Sequence, residues 1–546
     1  MSVSRRSASR RSASPRSASP RAAGGATLVA AGILLSRLFG LVRNRLLGHF
    51  LGTSDAGDAF NAAIRIPNIL QNLFGEGVLS ASFIPTYSRL LAEGDEEEAG
   101  RVAGAIGTLL ALTSAVLVLV GIVLTPYAVA VIAPGFTGDK RELTIRLVQV
   151  MFPGVGLLVL SAWSLGVLNS HRRFFLPYAS PVAMNVVMIA ALLGFGPALA
   201  GDATGQARLT GLLAWASVLG SAAQLAVQVP TVLRVDRRMR LRMALSDVHV
   251  RGVLAQFAPV FVGRGVVQIS AYVDNVLASL VSSGAVAVLS YAQVITMLPV
   301  SLFGMSVSAA ELPAMSGTMG ADDDVAHELR RRLSDGLHRI AFYVVPSSVA
   351  FISIGDIVGA TLYQSGRFGR ADVIWMWGVL AGSAVGLLAG TLGRLYASTW
   401  YALRNARTPL KFALLRVTLT LALGWLAALW LPGAVGLDPR WGVAGLTASA
   451  GIAAWVECLL LRRSLVPRIG DVGVDRPYQA RLWGAAAAAA VAAWGAKLVL
   501  GVEHPLMLGA VALPLYGVTY LGATAAMGIA ETTALADWVK RLTGRR

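Results

Sequence analysis

The first long apolar segment of the chain, residues 26–48, carries an unusual positive charge for a membrane helix. It contains Arg37, Arg43 and Arg45, and each ionisable group at membrane depth costs about 2.5–3.5 kcal/mol on insertion scales. At 100° per residue, Ser36, Arg37 and Arg43 fall within an arc of about 120°. These three residues are predicted to face one polar space, whereas Arg45 is expected to reach the lipid headgroups.

The second segment, residues 56–91, has a polar stripe along one face. Asp58, Arg65 and Glu76 share this face, and Asn68 lies beside it. The two acids cannot neutralise the four arginines of the first two segments. Excess arginine facing a cavity suits a phosphate-bearing substrate, because guanidinium groups bind phosphate oxygens in pairs and keep their charge. The alternative is that these charges pair with one another and only join the two helices.

Two isolated acids, Asp274 and Glu457, lie within later apolar segments. Their depth indicates coupling to a cation or a proton, and hydrogen bonding to a neighbouring helix is the alternative. Glu311 and Arg416 lie near segment ends, so they are expected to reach the membrane surface.

The residue pattern supports neither a metal site nor a redox site. The six histidines have no metal-ligand spacing, and the single cysteine, Cys458, excludes an internal disulfide. No constellation of histidine and carboxylate residues near the membrane surface indicates an enzyme. We therefore expect no metal cofactor and no catalytic activity.

The composition places most of the chain in lipid. Hydrophobic residues make up 55% of it and charged residues 14%, against roughly 45–50% and 25% in soluble domains. Stretches of about 20 apolar residues, enough to cross a bilayer, predict an all-α polytopic membrane protein with about fourteen transmembrane helices. They are placed at 26–48, 56–91, 102–132, 143–170, 177–200, 209–232, 252–281, 285–316, 339–363, 372–401, 409–431, 441–461, 482–500 and 505–530.

The formal charge of +18 follows this topology. With the N-terminus inside, 31 lysines and arginines fall on the cytoplasmic side, six on the opposite side and ten within helices. The positive-inside rule then favours an even number of spans with both termini in the cytoplasm. We expect contacts with membrane lipids and none with nucleic acid.

The helices are predicted to form two six-helix lobes and a C-terminal pair. Phe74-Gly75 and Phe303-Gly304 occupy corresponding positions in the two lobes, which indicates a parallel pseudo-repeat. The predicted segments are a disordered basic tail (1–25), an N-lobe (26–232), a basic cytoplasmic linker (233–251), a C-lobe (252–464), a cytoplasmic loop (465–481), helices 13 and 14 (482–530) and a basic tail (531–546).

Several short motifs resemble those of one family. They are Ser36-Arg37-Leu38-Phe39-Gly40-Leu41-Val42-Arg43, Asp58-Ala59-Phe60, Pro67-Asn68, Phe74-Gly75-Glu76-Gly77, Ala133-Pro134-Gly135-Phe136 and Thr408-Pro409. This pattern is similar to the MurJ (MviN) family, the lipid II flippases of the multidrug/oligosaccharidyl-lipid/polysaccharide exporter superfamily. The resemblance covers about residues 26–465.

The resemblance implies an alternating-access transporter of the bacterial inner membrane. Its substrate would be lipid II, the undecaprenyl-pyrophosphate-linked disaccharide peptide used in peptidoglycan synthesis, and the cell-wall synthesis machinery would be a partner. A central cationic cavity would open in turn to each side, and helices 13 and 14 would form a groove for the lipid tail. Two alternatives are a flippase for another polyprenyl-linked saccharide and a drug or cation antiporter, which would need acids rather than arginines in its cavity.

The resemblance also implies roles for particular residues. Arg37, Arg43 and Arg65 would bind the pyrophosphate of the substrate, and Ser36 and Asn68 would bind substrate beside them. Asp58 and Glu76 would hold the arginines and take part in gating.

Three positions bear on how this chain differs from the family pattern. Gln71 and Val294 stand where many members have cavity arginines. Some members bind sodium between helices 7, 11 and 12, and here only Asp274 matches an acid of that site. Na⁺, H⁺ and the membrane potential, which is worth about 2.3 kcal/mol per charge per 100 mV, all remain open as energy sources.

Overall fold

The computed structural model describes residues 20–74, 76–240, 243–244, 246–305, 307–308, 311, 315, 322–403, 405–501, 504–533, 535 and 537. Within these residues each of the fourteen predicted segments contains helix, and there is no β-strand. The N-lobe helices are α1 Pro20–Leu51, α2 Asp55–Phe74, α3 Glu76–Glu93, α4 Glu96–Ile132, α5 Gly138–Ser170, α6 Phe175–Ala179, α7 Pro181–Leu199 and α8 Ala203–Val235.

The second half of the chain repeats this all-helical pattern. The C-lobe helices are α9 Val248–Val281, α10 Ala285–Pro299, α11 Asp322–Ser353, α12 Gly355–Tyr363, α13 Arg370–Ala402, α14 Arg407–Trp425, α15 Leu431–Ala434 and α16 Gly442–Ile469. Two π-helical turns, Val300–Met305 and Leu426–Trp430, continue α10 and α14. The C-terminal pair is α17 Arg476–Leu500 and α18 Pro505–Ala526.

Ten helical stretches in the described part of the chain are long and apolar enough to cross a membrane, or eleven if the bent pair α11–α12 is one span. The three remaining predicted segments correspond to α1, the α2–α3 pair and α9, which carry Arg37, Arg43, Arg65 and Asp274. The outside of the protein is apolar. On α4, for example, Leu119, Val123 and Val131 are exposed, as expected for side chains that face lipid.

Two predicted boundaries are wrong. The segment 339–363 is two helices, since α11 and α12 meet at an angle of 84°. A Cβ at Gly355 would lie 2.5 Å from Trp377 Cδ1, so the bend depends on a residue without a side chain. Finally, α1 begins at Pro20, inside the segment assigned to the disordered tail, and residues 1–19 lie outside the described part.

The helix ends define two faces of the molecule. The α1–α2 face contains the turns at 52–54, 133–137, 282–284 and 364–369, and the α3–α4 face contains the turns at 94–95, 171–174, 236–240 and 470–475. Aspartates cap helices at both faces. Asp202 accepts a hydrogen bond from Gly205 N, and Asp247 accepts hydrogen bonds from His249 N and Val250 N. These caps satisfy backbone donors that the first turn of a helix leaves free.

Close helix contacts within the C-lobe depend on small residues. A Cβ at Gly386 of α13 would lie only 2.3 Å from Gly451 Cα of α16. Without side chains at this crossing the two backbones touch, which is the usual way for helices to pack in a membrane. This contact places α13 and α16 together as one wall of the space between the lobes.

Candidate functional site

A cavity of about 930 Å³ lies between the two lobes. Its N-lobe wall comes from α1, α2, α5, α7 and α8, and its C-lobe wall comes from α9, α10, α13, α14 and α16. Among the described residues of its lining, one is an acid, Asp274, and five are arginines. The arginines are Arg37, Arg43, Arg65, Arg394 and Arg416. The volume is at the upper end of the roughly 300–1,000 Å³ usual for ligand pockets, and the charge suits an anion.

The three arginines predicted from the first two segments all line this cavity. Arg37 is accessible, and Arg43 is held inside the wall with its Nε atom buried and without a hydrogen-bond partner in the described part of the chain. Arg65 crosses to the other lobe and donates hydrogen bonds to Ser290 Oγ (3.0 Å) and Gln293 Oε1 (2.7 Å). Both acceptors are neutral, and its acidic neighbour Asp274 also faces Arg416, so one carboxylate is shared by two guanidinium groups.

Ser36 and Asn68 also line the cavity, so all five predicted substrate-binding residues are brought together. Asn185 of α7 donates a hydrogen bond of 3.5 Å to the Ser36 carbonyl oxygen. This bond holds α1 against α7 at the depth of the arginines. The structure therefore brings these residues to one cavity, whereas their roles stay predictions.

Asp58 does not hold the arginines, and this expectation is wrong. It is fully buried at the α1–α2 face, where Lys140 Nζ of α5 lies 2.5 Å from its Oδ2 atom. Its two oxygens also accept hydrogen bonds from Gly284 N (2.7 Å) and Ala287 N (2.8 Å) at the start of α10. The positive end of that helix stabilises the carboxylate, so Asp58 joins the N-lobe to the C-lobe.

Further polar contacts surround Asp58 and close this face. Asp55 contacts Lys140 at 2.9 Å and accepts a hydrogen bond of 2.6 Å from Ser283 Oγ. Thr53 Oγ1 donates to Asp372 Oδ1 at 2.6 Å. Each of these contacts except that between Asp55 and Lys140 runs from one lobe to the other, so the α1–α2 face is sealed by a polar network.

A profile of the family described as "Lipid II flippase MurJ" matches residues 47–517. The chain belongs to the MurJ lipid II flippase family. The match begins after Ser36, Arg37 and Arg43. The assignment of these α1 residues to the site therefore depends on the motif resemblance and on the geometry of the cavity.

Individual MurJ relatives cover most of the chain. A "Lipid II flippase MurJ" of Burkholderia cenocepacia is 32% identical over 443 residues, which are 80% of this chain and 82% of that protein. A "Probable lipid II flippase MurJ" of Rhizobium meliloti is 29% identical over 489 residues, or 88% and 85% of the two chains.

Solved structures support the fold. A lipid II flippase MurJ in an inward closed conformation superposes with a TM-score of 0.74 at 20% identity, covering 92% of this chain and 98% of that one. An inward-facing multidrug resistance transporter of the MATE family has a TM-score of 0.61 at 17% identity, covering 81% and 98%. The fold of this MurJ family member is thus shared with a wider superfamily of transporters.

The departures from the MurJ pattern lie in the cavity itself. Gln71 and Val294 both line it, so two cavity positions that often carry arginine are uncharged in this chain. Gln293, next to Val294, is the residue that accepts from Arg65. The cationic character of the N-lobe wall therefore rests on Arg37, Arg43 and Arg65.

Two other expectations about charged residues are wrong. Arg45 does not reach the headgroups but donates to the carbonyl oxygens of Thr361 (2.7 Å) and Leu362 (2.9 Å) at the end of α12. Arg416 does not reach the membrane surface but lines the cavity, and its Nη1 atom lies 3.2 Å from Oε2 of Glu457. For Glu457 the structure therefore shows the alternative of a bond to a neighbouring helix. Glu311 lies 3.7 Å from a guanidinium nitrogen of Arg332 of α11 and forms an ion pair with it.

Asp274 lines the cavity, and its charged neighbours are Arg416 and Arg65. The side chain of Glu76 lies outside the described residues. Among the described part of the chain, no three histidine, cysteine, aspartate or glutamate side chains come together in a group that could hold a metal ion.

Two functional residues were missed by the sequence reasoning. Arg394 lies in the middle of a long apolar segment, and the rule that treats a charged group at membrane depth as a site residue would have found it. Lys140 lies between the predicted segments 102–132 and 143–170, where a lysine usually faces water. Only the tertiary contact with Asp58 reveals its role.

Proposed function

We propose that the protein flips lipid II from the cytoplasmic to the periplasmic leaflet of the bacterial cytoplasmic membrane by alternating access. The observation that carries this proposal is the cavity between the lobes, with five arginines and one acid among its described lining residues. A diphosphate needs a site of this charge, and a cationic drug would be repelled from it. Membership of the MurJ family supports lipid II as the substrate.

The orientation follows from the positive charges. The 31 lysines and arginines assigned to one side of the chain place the α3–α4 face and both termini in the cytoplasm. The α1–α2 face is then periplasmic. Its polar network around Asp58 is the periplasmic gate, which must break before the substrate can leave the cavity.

The lipid tail and the headgroup need different surroundings. Arg37, Arg43 and Arg65 bind the pyrophosphate inside the cavity, and the undecaprenyl chain stays in or near lipid, where α17 supplies an apolar surface with Val491, Leu498 and Val499 exposed. Enzymes that consume lipid II act on the periplasmic side, so that side is where the cell-wall synthesis machinery would meet this transporter.

The membrane potential fits this cavity better than a sodium site does. Asp274 already has two guanidinium neighbours, Arg416 and Arg65, and these disfavour a further cation at its carboxylate. The net positive charge of the cavity supplies a gating charge on which the potential can act. Transport in vesicles with an imposed potential and no sodium tests this choice, and a strict requirement for sodium would contradict it.

The function is tested by complementation of a bacterial strain depleted of its own lipid II flippase. The parent protein is compared with Arg37→Ala and Arg43→Ala at matched membrane expression. Arg208→Ala is the control, because Arg208 is an exposed arginine of α8 that is not part of the cavity lining. We expect rescue by the parent and the control but by neither cavity variant.

Other outcomes are equally informative. If the parent protein fails to rescue despite good membrane expression, another polyprenyl-linked saccharide becomes the better substrate. If all four proteins rescue, the arginines have no part in transport and the proposed mechanism is wrong.

A further inference from the structure

The C-lobe wall of the cavity has an arginine that the pyrophosphate site does not use. Arg394 of α13 lines the cavity and its side chain is accessible. Its charged neighbours are Arg416 and Glu457, but in the described part of the chain its guanidinium makes no ion pair or hydrogen bond. A cation at membrane depth without a counter-charge costs several kcal/mol, roughly 2.5–3.5 on insertion scales, so this position calls for an anionic partner.

Arg394 ends a row of alternating charges that crosses the cavity. The row runs from Arg65 to Asp274, then to Arg416, Glu457 and Arg394. Three cations and two anions leave one positive charge without a partner. Asp274 is shared by Arg65 and Arg416, and Glu457 is bound to Arg416 at 3.2 Å. The excess charge therefore belongs to the C-lobe end of the row.

The wall beside Arg394 leaves room for a bulky group. Gly390 lies one helical turn before Arg394 on the cavity lining, and a Cβ added there would meet nothing within 4 Å. Gly451, Ala450 and Ala454 of α16 line the same side. The N-lobe wall, by contrast, presents the long polar side chains of α1 and α2.

We propose that Arg394, with Arg416, forms a second anion-binding subsite that holds a carboxylate of the lipid II peptide. The proposal rests on the proposed function. The negative charges of a pyrophosphate lie on two adjacent phosphates. The peptide carboxylates of lipid II are separated from the pyrophosphate by a sugar, so a pair of arginines on the other lobe suits a peptide carboxylate. Arg416 already binds one carboxylate, that of Glu457.

Binding to the purified protein in lipid nanodiscs separates the two subsites. The probes are lipid II, undecaprenyl pyrophosphate, and lipid II whose peptide carboxylates are all amidated. We expect Arg394→Gln to weaken lipid II binding by roughly tenfold or more, the usual loss for a hydrogen bond to a charged group. Binding of the other two probes should be unchanged by this substitution.

A second pair of variants tests the space rather than the charge. Gly390→Leu should weaken lipid II binding as much as Arg394→Gln and leave undecaprenyl pyrophosphate binding intact, because the added side chain fills the subsite. Gly194→Leu is the matched control, since Gly194 of α7 also has nothing within 4 Å but is not part of the cavity lining. It should bind all three probes like the parent.

The alternatives give different results. Equal losses of lipid II and undecaprenyl pyrophosphate in Arg394→Gln would mean that the subsite binds phosphate, and the proposal would be wrong. Parental lipid II binding in both Arg394→Gln and Gly390→Leu would also overturn it and leave the proposed function intact. If the parent protein binds lipid II no better than undecaprenol, the proposed function itself fails.

Discussion

At the α1–α2 face, Asp58 is fully buried and has three partners, namely Lys140 Nζ and two backbone N–H groups of α10. In the cavity, Arg43 has a buried Nε atom without a partner in the described structure, and Arg65 has only neutral acceptors. Both regions place charge inside a membrane protein, where an unpaired charge is costly.

The difference between these regions separates structural from functional charge. A closed gate must hold by itself, so its charges are satisfied within the protein. A substrate site must gain energy from the substrate, so its charges are left incomplete until an anion arrives. Substitutions in the two regions should therefore have different effects.

Removal of Asp58 should disrupt the α1–α2 face. Asp58→Ala leaves two backbone donors unsatisfied and Lys140 with only the exposed Asp55 as a partner, so we expect the closed state to lose about 3–5 kcal/mol, as for other broken buried pairs. Thermal unfolding should show the loss. The distance between spin labels at Asp139 and Leu437, two exposed positions of this face on different lobes, should increase.

The control for this experiment is Asp55→Ala. Asp55 also contacts Lys140, but its side chain is 65% exposed, so its loss should cost only about 0–1 kcal/mol. Equal effects of the two substitutions would mean that Asp58 is no more important than a surface acid.

Neutralisation of Arg65 should weaken anion binding strongly. Arg65→Gln removes a guanidinium group whose hydrogen-bond acceptors, Ser290 and Gln293, are neutral and whose acidic neighbour Asp274 also faces Arg416, so affinity for undecaprenyl pyrophosphate should fall roughly 10- to 100-fold. Arg65→Lys should be intermediate, because lysine keeps the charge and loses the planar pair of donors. Parental affinity in both variants would show that Arg65 only joins the lobes.

Restoration of a family arginine should change the affinity for undecaprenyl pyrophosphate less than Arg65→Gln does, and in the opposite direction. Val294 lines the cavity beside Gln293, so Val294→Arg should raise the affinity for undecaprenyl pyrophosphate by roughly two- to tenfold. The gain should shrink as salt rises, because ions screen the added charge. No gain at low salt would indicate that the three N-lobe arginines already saturate the pyrophosphate.

A weak pH dependence is expected from the α3–α4 face. His171, in a turn outside the helices, donates from Nε2 to the Tyr87 hydroxyl (2.9 Å), which in turn donates to Asp236 (2.9 Å). Burial lowers the pKa of His171 below its ordinary value of 6.5. The folded state therefore binds this proton less readily than the unfolded state, so stability is full above pH 6.5 and decreases below it.

Thermal unfolding between pH 7.5 and pH 5.5, roughly one unit on either side of the ordinary histidine pKa, checks this expectation. His171→Gln should reduce the dependence on pH, because glutamine keeps a donor for Tyr87 and does not titrate. An unchanged profile in His171→Gln would assign the dependence to another group.

Much of the fold could be predicted from apolar segments alone. The fourteen segments coincide with helix because each is long enough to cross a bilayer, and a backbone in lipid must satisfy its hydrogen bonds internally. The bend at Gly355 escaped prediction. It lies inside a run that remains apolar, and hydropathy does not distinguish a straight span from a bent one.

The candidate site could be predicted only in its N-lobe half. Arg37, Arg43 and Arg65 were found because charge within an apolar segment is rare and because their spacing puts them on shared helix faces. Asp58 shares the face of Arg65 in sequence, yet it lies at the far end of α2, where Lys140 and α10 enclose it. A helical wheel gives the direction of a side chain and does not identify the helix that faces it.

Local composition and motifs were enough to predict the helical class, the apolar segments, the excess of arginine and the family. The pairing of charges could be seen only in the folded protein. Glu457 binds Arg416 of another helix, Arg45 binds the end of α12, and Arg394 lines the cavity without an ion pair in the described part of the chain. Pairing depends on distances of a few ångströms between helices that are far apart in the chain, because electrostatic energy at membrane depth changes steeply with separation.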